Sequence, residues 1–407
     1  MNVRIFPSVA NGTVSAPTSK SMAHRALICA ALAQGESRIS GVCDCEDVKA
    51  TLDCLQALGA ACQKQNDTVI VKGTDFSKSP SATLFCRESG STMRFMLPLC
   101  LLSQNEMTLT GAASLLSRPM MPYQTLCREH GLYFAQTNEG ITVKGPLRAG
   151  EYTLAGDVSS QFISGMLFAL TQTEGNSILH ILPPFESRSY VLLTMQALAE
   201  FGADVAWLDD ETVLVRSKTP MTAKQYTVEG DYSGAAFLSA LNVLGGSVTV
   251  EGLNPASLQG DRVYLEHFES LQKGNATISL ADCPDLAPIL FALAARGEGA
   301  RFTDTRRLAI KESDRARAMA AELCKFGAWV DVRENEVIIK RGTFHAPTEP
   351  LSSHNDHRIV MSLAVLATLT GGVIEGAEAV AKSFPDFFER IATVGIQIEE
   401  INPKGTL

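Results

Sequence analysis

The sequence predicts an α/β protein made of repeated helix–strand units, three in each half of the chain. Two interleaved patterns and their spacing carry that expectation. In the first pattern an apolar helix runs into a glycine and two short strands follow. It occurs at LQALGAACQKQNDTVIVKG, LCREHGLYFAQTNEGITVKG, MQALAEFGADVAWLDDETVLVRS, FESLQKGNATISL, MAAELCKFGAWVDVRENEVIIKRG and FFERIATVGIQIEEI. A glycine just past an apolar helical stretch stops the helix, because it enters the left-handed region at no steric cost. The alternating apolar residues behind it read as strands, and ND, NE, DD and EN between them read as tight turns. The stop glycines are Gly59, Gly131, Gly202, Gly274, Gly327 and Gly395, at intervals of 72, 71, 72, 53 and 68 residues.

The second pattern is an apolar helix, a polar turn and one strand. It also occurs six times, at AALAQGESRISGV, LCLLSQNEMTLTGA, LFALTQTEGNSILHIL, LSALNVLGGSVTVEGL, LFALAARGEGARFTDT and LAVLATLTGGVIEGA. Together the patterns give units of helix, strand, helix, strand, strand. Three units run from about residue 20 to 228 and three from about 229 to 407. A period near 70 is too long for an ordinary solenoid repeat, so each unit reads as a small subdomain.

Composition narrows the function classes. The 407 residues carry 35 Lys plus Arg against 44 Asp plus Glu, a net charge of −9. Apolar residues make up 45% and charged residues 19%, which fits a globular chain of two or three domains. The 31 glycines and 17 prolines are an average share, which excludes collagen-like and disordered classes. An acidic chain does not seek nucleic acid or an anionic membrane unless its cations gather locally. MNVRIFPSV is no apolar signal, and Ile359–Ile374 is too short and polar to span a bilayer. Ten cysteines without a signal segment point to reduced thiols in a cytoplasm, and Cys43-x-Cys45 fits no common zinc spacing. His354 and His357 flank Asp356 without obvious further metal ligands, so no metal is expected. GxxxxGK[ST], GxGxxG after a strand and GxSxG are all absent, which argues against Walker, dinucleotide and hydrolase sites.

The informative polar residues stand where helices begin. The starts of the second-pattern helices read TSKSMAHR, RESGSTMR, GDVSSQF, GDYSGAA, DCPDLAP and HNDHRIVM. The starts of the first-pattern helices read DCEDVKA, LLSRPMM, FESRSYV, GDRVYL, IKESDRAR and KSFPDFF. N-capping accounts for many of the Ser, Asp and Asn residues, including Asp47, Asp261 and Ser383. It does not account for Lys20, Arg25, Arg94, Arg118, Arg188, Lys311, Arg315, Arg358 and Lys382, since the helix dipole disfavours a cation there. Open N–H groups with an Arg fork make an anion site, and several together would hold a highly charged ligand. Asp285 and Glu312 lie among these cations and are candidates for proton transfer; an ion pair with a nearby Arg is the plainer role for Glu312.

These segments resemble the 5-enolpyruvylshikimate 3-phosphate (EPSP) synthase family, the 3-phosphoshikimate 1-carboxyvinyltransferases. The matching stretches are SKSMAHRALICAALAQGES, SGSTMRF, SRPM, GDVSSQFISGML, EGDYSGAAFLSA, PDLAPILFALA, KESDRARAMAAELCKFGA, NDHRIVMSLAV and KSFPDFF, in family order from residue 19 to 388. The resemblance implies two similar domains, each of three βαβαββ units, with the active site in the cleft between them. Residues 1–19 would join 229–407, leaving 20–228 as the other domain. It implies shikimate 3-phosphate contacts at Lys20, Ser21, Arg25, Ser159, Ser160, Gln161, Ser187, Asp285 and Lys311. It implies phosphoenolpyruvate contacts at Lys20, Gly90, Arg118, Gln161, Arg315, Arg358 and Lys382. The implied reaction is addition–elimination. Asp285 would accept the 5-hydroxyl proton, and Lys20 and Glu312 are both candidates for the proton at C3. Phosphoenolpyruvate carries its own leaving group, so no cofactor or metal is expected. The family also implies a monomer. Two positions depart from the pattern: Arg307 stands where the family often has Asn, and Phe95 replaces a proline in the segment bearing on the inhibitor glyphosate. The alternatives are an enolpyruvyl transferase acting on UDP-N-acetylglucosamine and a non-catalytic anion-binding protein on the same scaffold.

Overall fold

A computed structural model describes residues 1–217 and 220–401. The chain separates into a split unit, Met1–Pro17 with Gly230–Leu407, and a continuous unit, Thr18–Glu229. The crossings fall at 17/18 and 229/230, against 19/20 and 228/229 expected from the sequence. The last repeat extends to 407 in the sequence, and its final residues, 402–407, lie outside the described residues.

All six expected stop glycines adopt positive φ, between 66° and 105°. The clearest case is Gly327, where a Cβ would stand 2.2 Å from the Thr343 carbonyl oxygen, so neither the dihedral nor the space admits a side chain. The six helix–turn–strand segments are also present, starting with helices Lys20–Leu32, Gly90–Cys100, Ser160–Leu170, Tyr232–Val243, Ala287–Arg296 and His357–Ala367. These helices are nearly buried on all faces, as their continuous apolar runs require; every residue of His357–Ala367 is buried. The strands alternate buried and exposed residues, as in Glu36–Ser40 and Glu151–Ala155, so each sheet covers the helices with one face and meets solvent with the other.

Each sheet of the continuous unit has the same plan. The third sheet places Glu151–Ala155 parallel to Ser177–Leu182, then Thr212–Arg216 antiparallel, then Asp204–Trp207 at the edge. The parallel pair is joined through helix Ser160–Leu170, and the hairpin comes after helix Arg188–Glu200. The second sheet repeats this order with Ala82–Phe85, Met107–Thr110, Ile141–Lys144 and Tyr133–Gln136. The first sheet takes its opening strand, Gln225–Thr227, from the far end of the unit, where it pairs parallel with Glu36–Ser40.

The split unit uses its N-terminal segment in the same way. Asn2–Ile5 lies between Gly372–Glu375 and Ile398–Ile401, antiparallel to both, and Asn11–Ser15 pairs parallel with Ser247–Glu251. The strand pattern departs from the sequence expectation in two places. After Gly395 one strand is described rather than two, because Asn2–Ile5 supplies its partner. After Gly274 there is also a single strand, Ala276–Ser279, and it opens the next sheet. That unit therefore has a two-stranded sheet and no hairpin. The missing hairpin is the physical meaning of the short interval of 53 residues. Each unit encloses its own apolar core.

Candidate active site

In the continuous unit three of the buried helices begin at Lys20, Gly90 and Ser160. Each is preceded by an extended serine whose hydroxyl accepts a backbone N–H: Ser19 from Met22 at 3.4 Å, Ser89 from Thr92 at 3.2 Å, Ser159 from Gln161 at 3.3 Å. This capping fixes the start of each helix and what projects from it. Ser159 thus caps, and Ser160 is the first helical residue. Lys20 sits at a helix start against the dipole, and Asp47 offsets that cost by an ion pair at 2.7 Å. Asp47 is consequently no cap: Cys45 holds the cap position of helix Glu46–Ala57, with no side-chain bond.

Gly90, Arg94, Arg118 and Gln161 come together. A Cβ on Gly90 would stand 2.8 Å from Arg118 Nη1, so the absent side chain is what lets the Arg118 guanidinium approach this helix start; at 3.7 Å from that Cβ, Arg94 Nη1 would remain in ordinary contact. Arg94 Nη1 donates to Gln161 Oε1 at 2.7 Å, and Gln161 Nε2 donates to Ser91 Oγ at 2.8 Å. The amide of Gln161 is therefore held at both ends. The Arg118 guanidinium makes no hydrogen bond or ion pair among the described residues.

Arg25 is almost wholly buried. It donates from Nε to Thr194 Oγ1 at 2.9 Å, from Nη1 to the Ser21 carbonyl at 2.7 Å and from Nη2 to the Tyr190 carbonyl at 2.9 Å. Its guanidinium carbon lies 5.4 Å from the centroid of the Phe95 ring, so the residue that departs from the family pattern gives Arg25 an aromatic face. All these partners are neutral. Burial lowers the Arg25 pKa from 12.5 to about 10. Ser187, also buried, stands in the left-handed region at the start of Arg188–Glu200. Arg188 stacks 4.6 Å from the Trp207 ring centroid, with Asp210 at 3.2 Å.

The split unit holds a second cluster with the opposite balance. Asp285 sits in the single turn Pro284–Leu286 ahead of helix Ala287–Arg296. Arg315 Nη1 reaches its Oδ1 at 2.8 Å, Lys311 Nζ the same oxygen at 3.4 Å, and Arg358 Nη2 its Oδ2 at 2.9 Å. Burial alone would raise the Asp285 pKa, but Arg358, Lys311 and Arg315 outweigh it and hold the carboxyl well below the usual range. Burial pushes Lys311 down, and Asp285 partly restores it. Arg315 is 1% exposed and also donates to Glu312 Oε2 at 2.7 Å and Asp356 Oδ2 at 2.9 Å. Burial opposes its charge, yet these three carboxylates raise its pKa. Glu312 therefore has the ion pair anticipated as its plainer role. Asp356 caps His357–Ala367 by accepting the Arg358 N–H at 2.9 Å, and Lys382 Nζ donates to the Asn355 carbonyl at 2.7 Å. Arg307 is buried too, and donates to the Ala281 carbonyl at 2.5 Å.

Sequence reasoning misassigned Asp261 and Ser383 as caps. Neither gives a cap bond: Gln259 precedes the turn Gly260–Val263, and Ser383 ends the turn Ala377–Lys382. Asp261 is instead a buried carboxyl whose pKa burial, and next Asp285, raise to about 7 against the pull of Arg358 and a Ser233 hydrogen bond. Ser233 also accepts from Arg358 Nη1. Asp356 stood out only between His354 and His357 and within NDHR, and Ser233 only within GDYSGAA, with no signal of the partners they take. Thus the anticipated cations divide between the units: Lys20, Arg25, Arg94, Arg118 and Arg188 lie in the continuous one, where Arg94 and Arg118 meet at Gly90, and Lys311, Arg315, Arg358 and Lys382 lie in the split one.

Serine-capped helix starts bearing guanidinium groups, on repeated α/β units, define a protein built to bind small, multiply anionic molecules. The profile of the EPSP synthase (3-phosphoshikimate 1-carboxyvinyltransferase) family matches residues 7–391. A 3-phosphoshikimate 1-carboxyvinyltransferase of Clostridium kluyveri is 37% identical, with 98% of each chain covered, and one of Clostridium novyi is 35% identical over the same shares. The solved EPSP synthase of Acinetobacter baumannii superposes with a TM-score of 0.79 at 26% identity, covering 98% of this chain and 99% of that one. The chain belongs to the EPSP synthase family, whose reaction is transfer of a carboxyvinyl group to 3-phosphoshikimate. No helix among the described residues is long and apolar enough to cross a membrane.

Proposed function

We propose that the chain transfers the enolpyruvyl group of phosphoenolpyruvate to the 5-hydroxyl of shikimate 3-phosphate and releases phosphate. The observation that carries this reading is the pair Arg25 and Arg118, two guanidinium groups with no carboxylate partner among the described residues. An Arg fork without an acid is an unfilled demand for an anion. Arg25, with Ser21, Ser159, Ser160, Gln161 and Ser187, takes shikimate 3-phosphate. Arg118, with Lys20, Gly90 and Gln161, takes phosphoenolpyruvate. Asp285 and Lys311 complete the acceptor set, and Arg315, Arg358 and Lys382 the phosphoenolpyruvate set.

In the addition step the 5-hydroxyl oxygen bonds to C2, its proton passes to Asp285, and C3 gains a proton from Lys20 or Glu312. A tetrahedral intermediate results. In the elimination step the bond from C2 to the phosphate oxygen breaks, C3 returns a proton to the group that supplied it and the enol ether forms. The cations around Asp285 keep it ionised and so ready to accept, but also weaken it as a base. Anionic substrate groups that draw Arg315 and Arg358 toward themselves restore its basicity. The same cations stabilise charge on the leaving phosphate. The reading includes a monomer in the cytoplasm that requires no cofactor, metal, nucleic acid or membrane. Its test is phosphate release from phosphoenolpyruvate by the purified protein. Release is expected only with shikimate 3-phosphate present; release with UDP-N-acetylglucosamine instead transfers the assignment to the UDP-sugar reaction, and none with either leaves a binding protein.

A further inference from the structure

The turn at residues 352–356 holds two consecutive non-glycine residues in the left-handed region, His354 at φ 48° and Asn355 at φ 54°. Such a conformation is strained for side-chain-bearing residues and persists only where surroundings impose it. The C-terminal end of the turn belongs to the cluster already described: the Asn355 carbonyl receives Lys382, Asp356 receives Arg315, and Arg358 stands in the first turn of the next helix. The groups that hold the turn lie on helix Arg315–Cys324. Glu322, 2% exposed, accepts from His354 Nε2 at 2.8 Å through Oε1. Its Oε2 accepts from the Ser352 N–H and from Lys325 Nζ, each at 2.9 Å.

Arg315 and Glu322 are seven residues apart, two helical turns, so they present on one face of the helix, about 10 Å apart along its axis. One rigid helix therefore grips the turn at both ends, through Arg315 to Asp356 and through Glu322 to Ser352 and His354. Lys325 neutralises the buried carboxylate and anchors to the Pro350 carbonyl at 2.8 Å, just ahead of the turn. Among the described residues every donor to the Glu322 carboxylate comes from 325, 352 and 354, so the group serves this turn and not the packing of the apolar core.

We propose that Glu322 and His354 are positioning residues for the anion-binding turn, fixing the place of Lys382 and Arg358 without touching substrate. The assignment of those two cations to phosphoenolpyruvate rests on the proposed function. Two measurements on the full chain separate the ideas. In steady-state kinetics with both substrates, Glu322→Gln and His354→Ala are expected to raise the KM for phosphoenolpyruvate at least fivefold. The KM for shikimate 3-phosphate should move less than twofold, and His354→Gln, which keeps a donor, should recover most of the loss. In hydrogen exchange of the substrate-free protein, both damaging variants are expected to speed exchange at the Ser352–Arg358 amides at least tenfold. Unchanged exchange at those amides overturns the clamp whether or not the wild type turns over. Faster exchange with both KM values unchanged overturns the positioning role and leaves Glu322 a fold-stabilising residue. A wild type without turnover overturns the function while the exchange result still decides the clamp.

Discussion

Replacing Arg25 by Met gives the sharpest test of what the continuous unit is built to do. In the substrate-free protein this guanidinium is buried against three neutral acceptors. The fall of its pKa from 12.5 to about 10, driven by burial, corresponds to about 3 kcal/mol of penalty on the charged form. Methionine relieves that penalty and refills most of the space against Phe95. It forfeits three hydrogen bonds worth about 1 kcal/mol each. The acceptors left behind are not stranded: Thr194 Oγ1 still bonds Ser164 Oγ at 2.7 Å and the Tyr190 carbonyl at 3.1 Å. Gains and losses nearly cancel, so the urea unfolding midpoint should correspond to a stability within about 1 kcal/mol of wild type. Binding should respond very differently. A desolvated Arg–phosphate pair is worth about 3 kcal/mol or more, so calorimetric affinity for shikimate 3-phosphate should fall about 100-fold or further. A variant that loses about 3 kcal/mol of stability while binding within tenfold of wild type would show that Arg25 is a structural residue, and the argument from cations without a carboxylate would fail.

Gly90→Ala should leave stability unchanged or slightly raised, since alanine suits a first helical turn, and should raise the KM for phosphoenolpyruvate several-fold, because the new Cβ would stand 2.8 Å from Arg118 Nη1 and push it away. An unchanged KM would separate Arg118 from that substrate. Asp285→Ala should lower kcat by about 100-fold or more with a smaller change in substrate binding, in the range of a lost acid–base group; unaltered turnover removes Asp285 from the mechanism. Asp261→Asn tests the raised carboxyl through its stability profile. The wild-type group is at about 7 when folded against 3.8 ordinarily, so its contribution is fully present below pH 3.8 and lost as pH rises through 7. The variant should therefore gain on wild type between pH 4 and 8, by up to about 4 kcal/mol, and level off above; a constant difference across that range refutes it.

Much of the fold was legible because its signals are local. A helix that must stop needs a residue tolerant of positive φ, and the six glycines at those places all adopt it. A helix buried on every side needs a long apolar run, and Ile359–Ala367 is one broken only by Ser362. Strand pairing across the chain had no comparable signal. Nothing in VRI says that Asn2–Ile5 replaces the second strand of a hairpin expected after Gly395. The interval of 53 did record a missing hairpin, but only as a number out of line with its neighbours.

The site was legible to the extent that its residues offend local rules. Lys20, Arg315 and Arg358 stand in the first turns of helices, where the dipole repels them, and that offence can be read from sequence. An acid at a helix start obeys the rule, so capping explains it whether it caps or not. Asp47, Asp261 and Asp285 were alike in this respect, and their partners tell them apart: Asp47 pairs with Lys20, Asp285 is fixed by three cations, and Asp261 is buried with a raised pKa. The two clusters consequently differ in kind. In the split unit carboxylates already meet the cations, so an incoming anion must compete with Asp285, Glu312 and Asp356 for Arg315. In the continuous unit Arg25 and Arg118 have no such competitor among the described residues. Anion binding should therefore be favoured first where the guanidinium groups lack acids, and the paired cluster should yield its cations only to a ligand that also takes over the charge of its carboxylates.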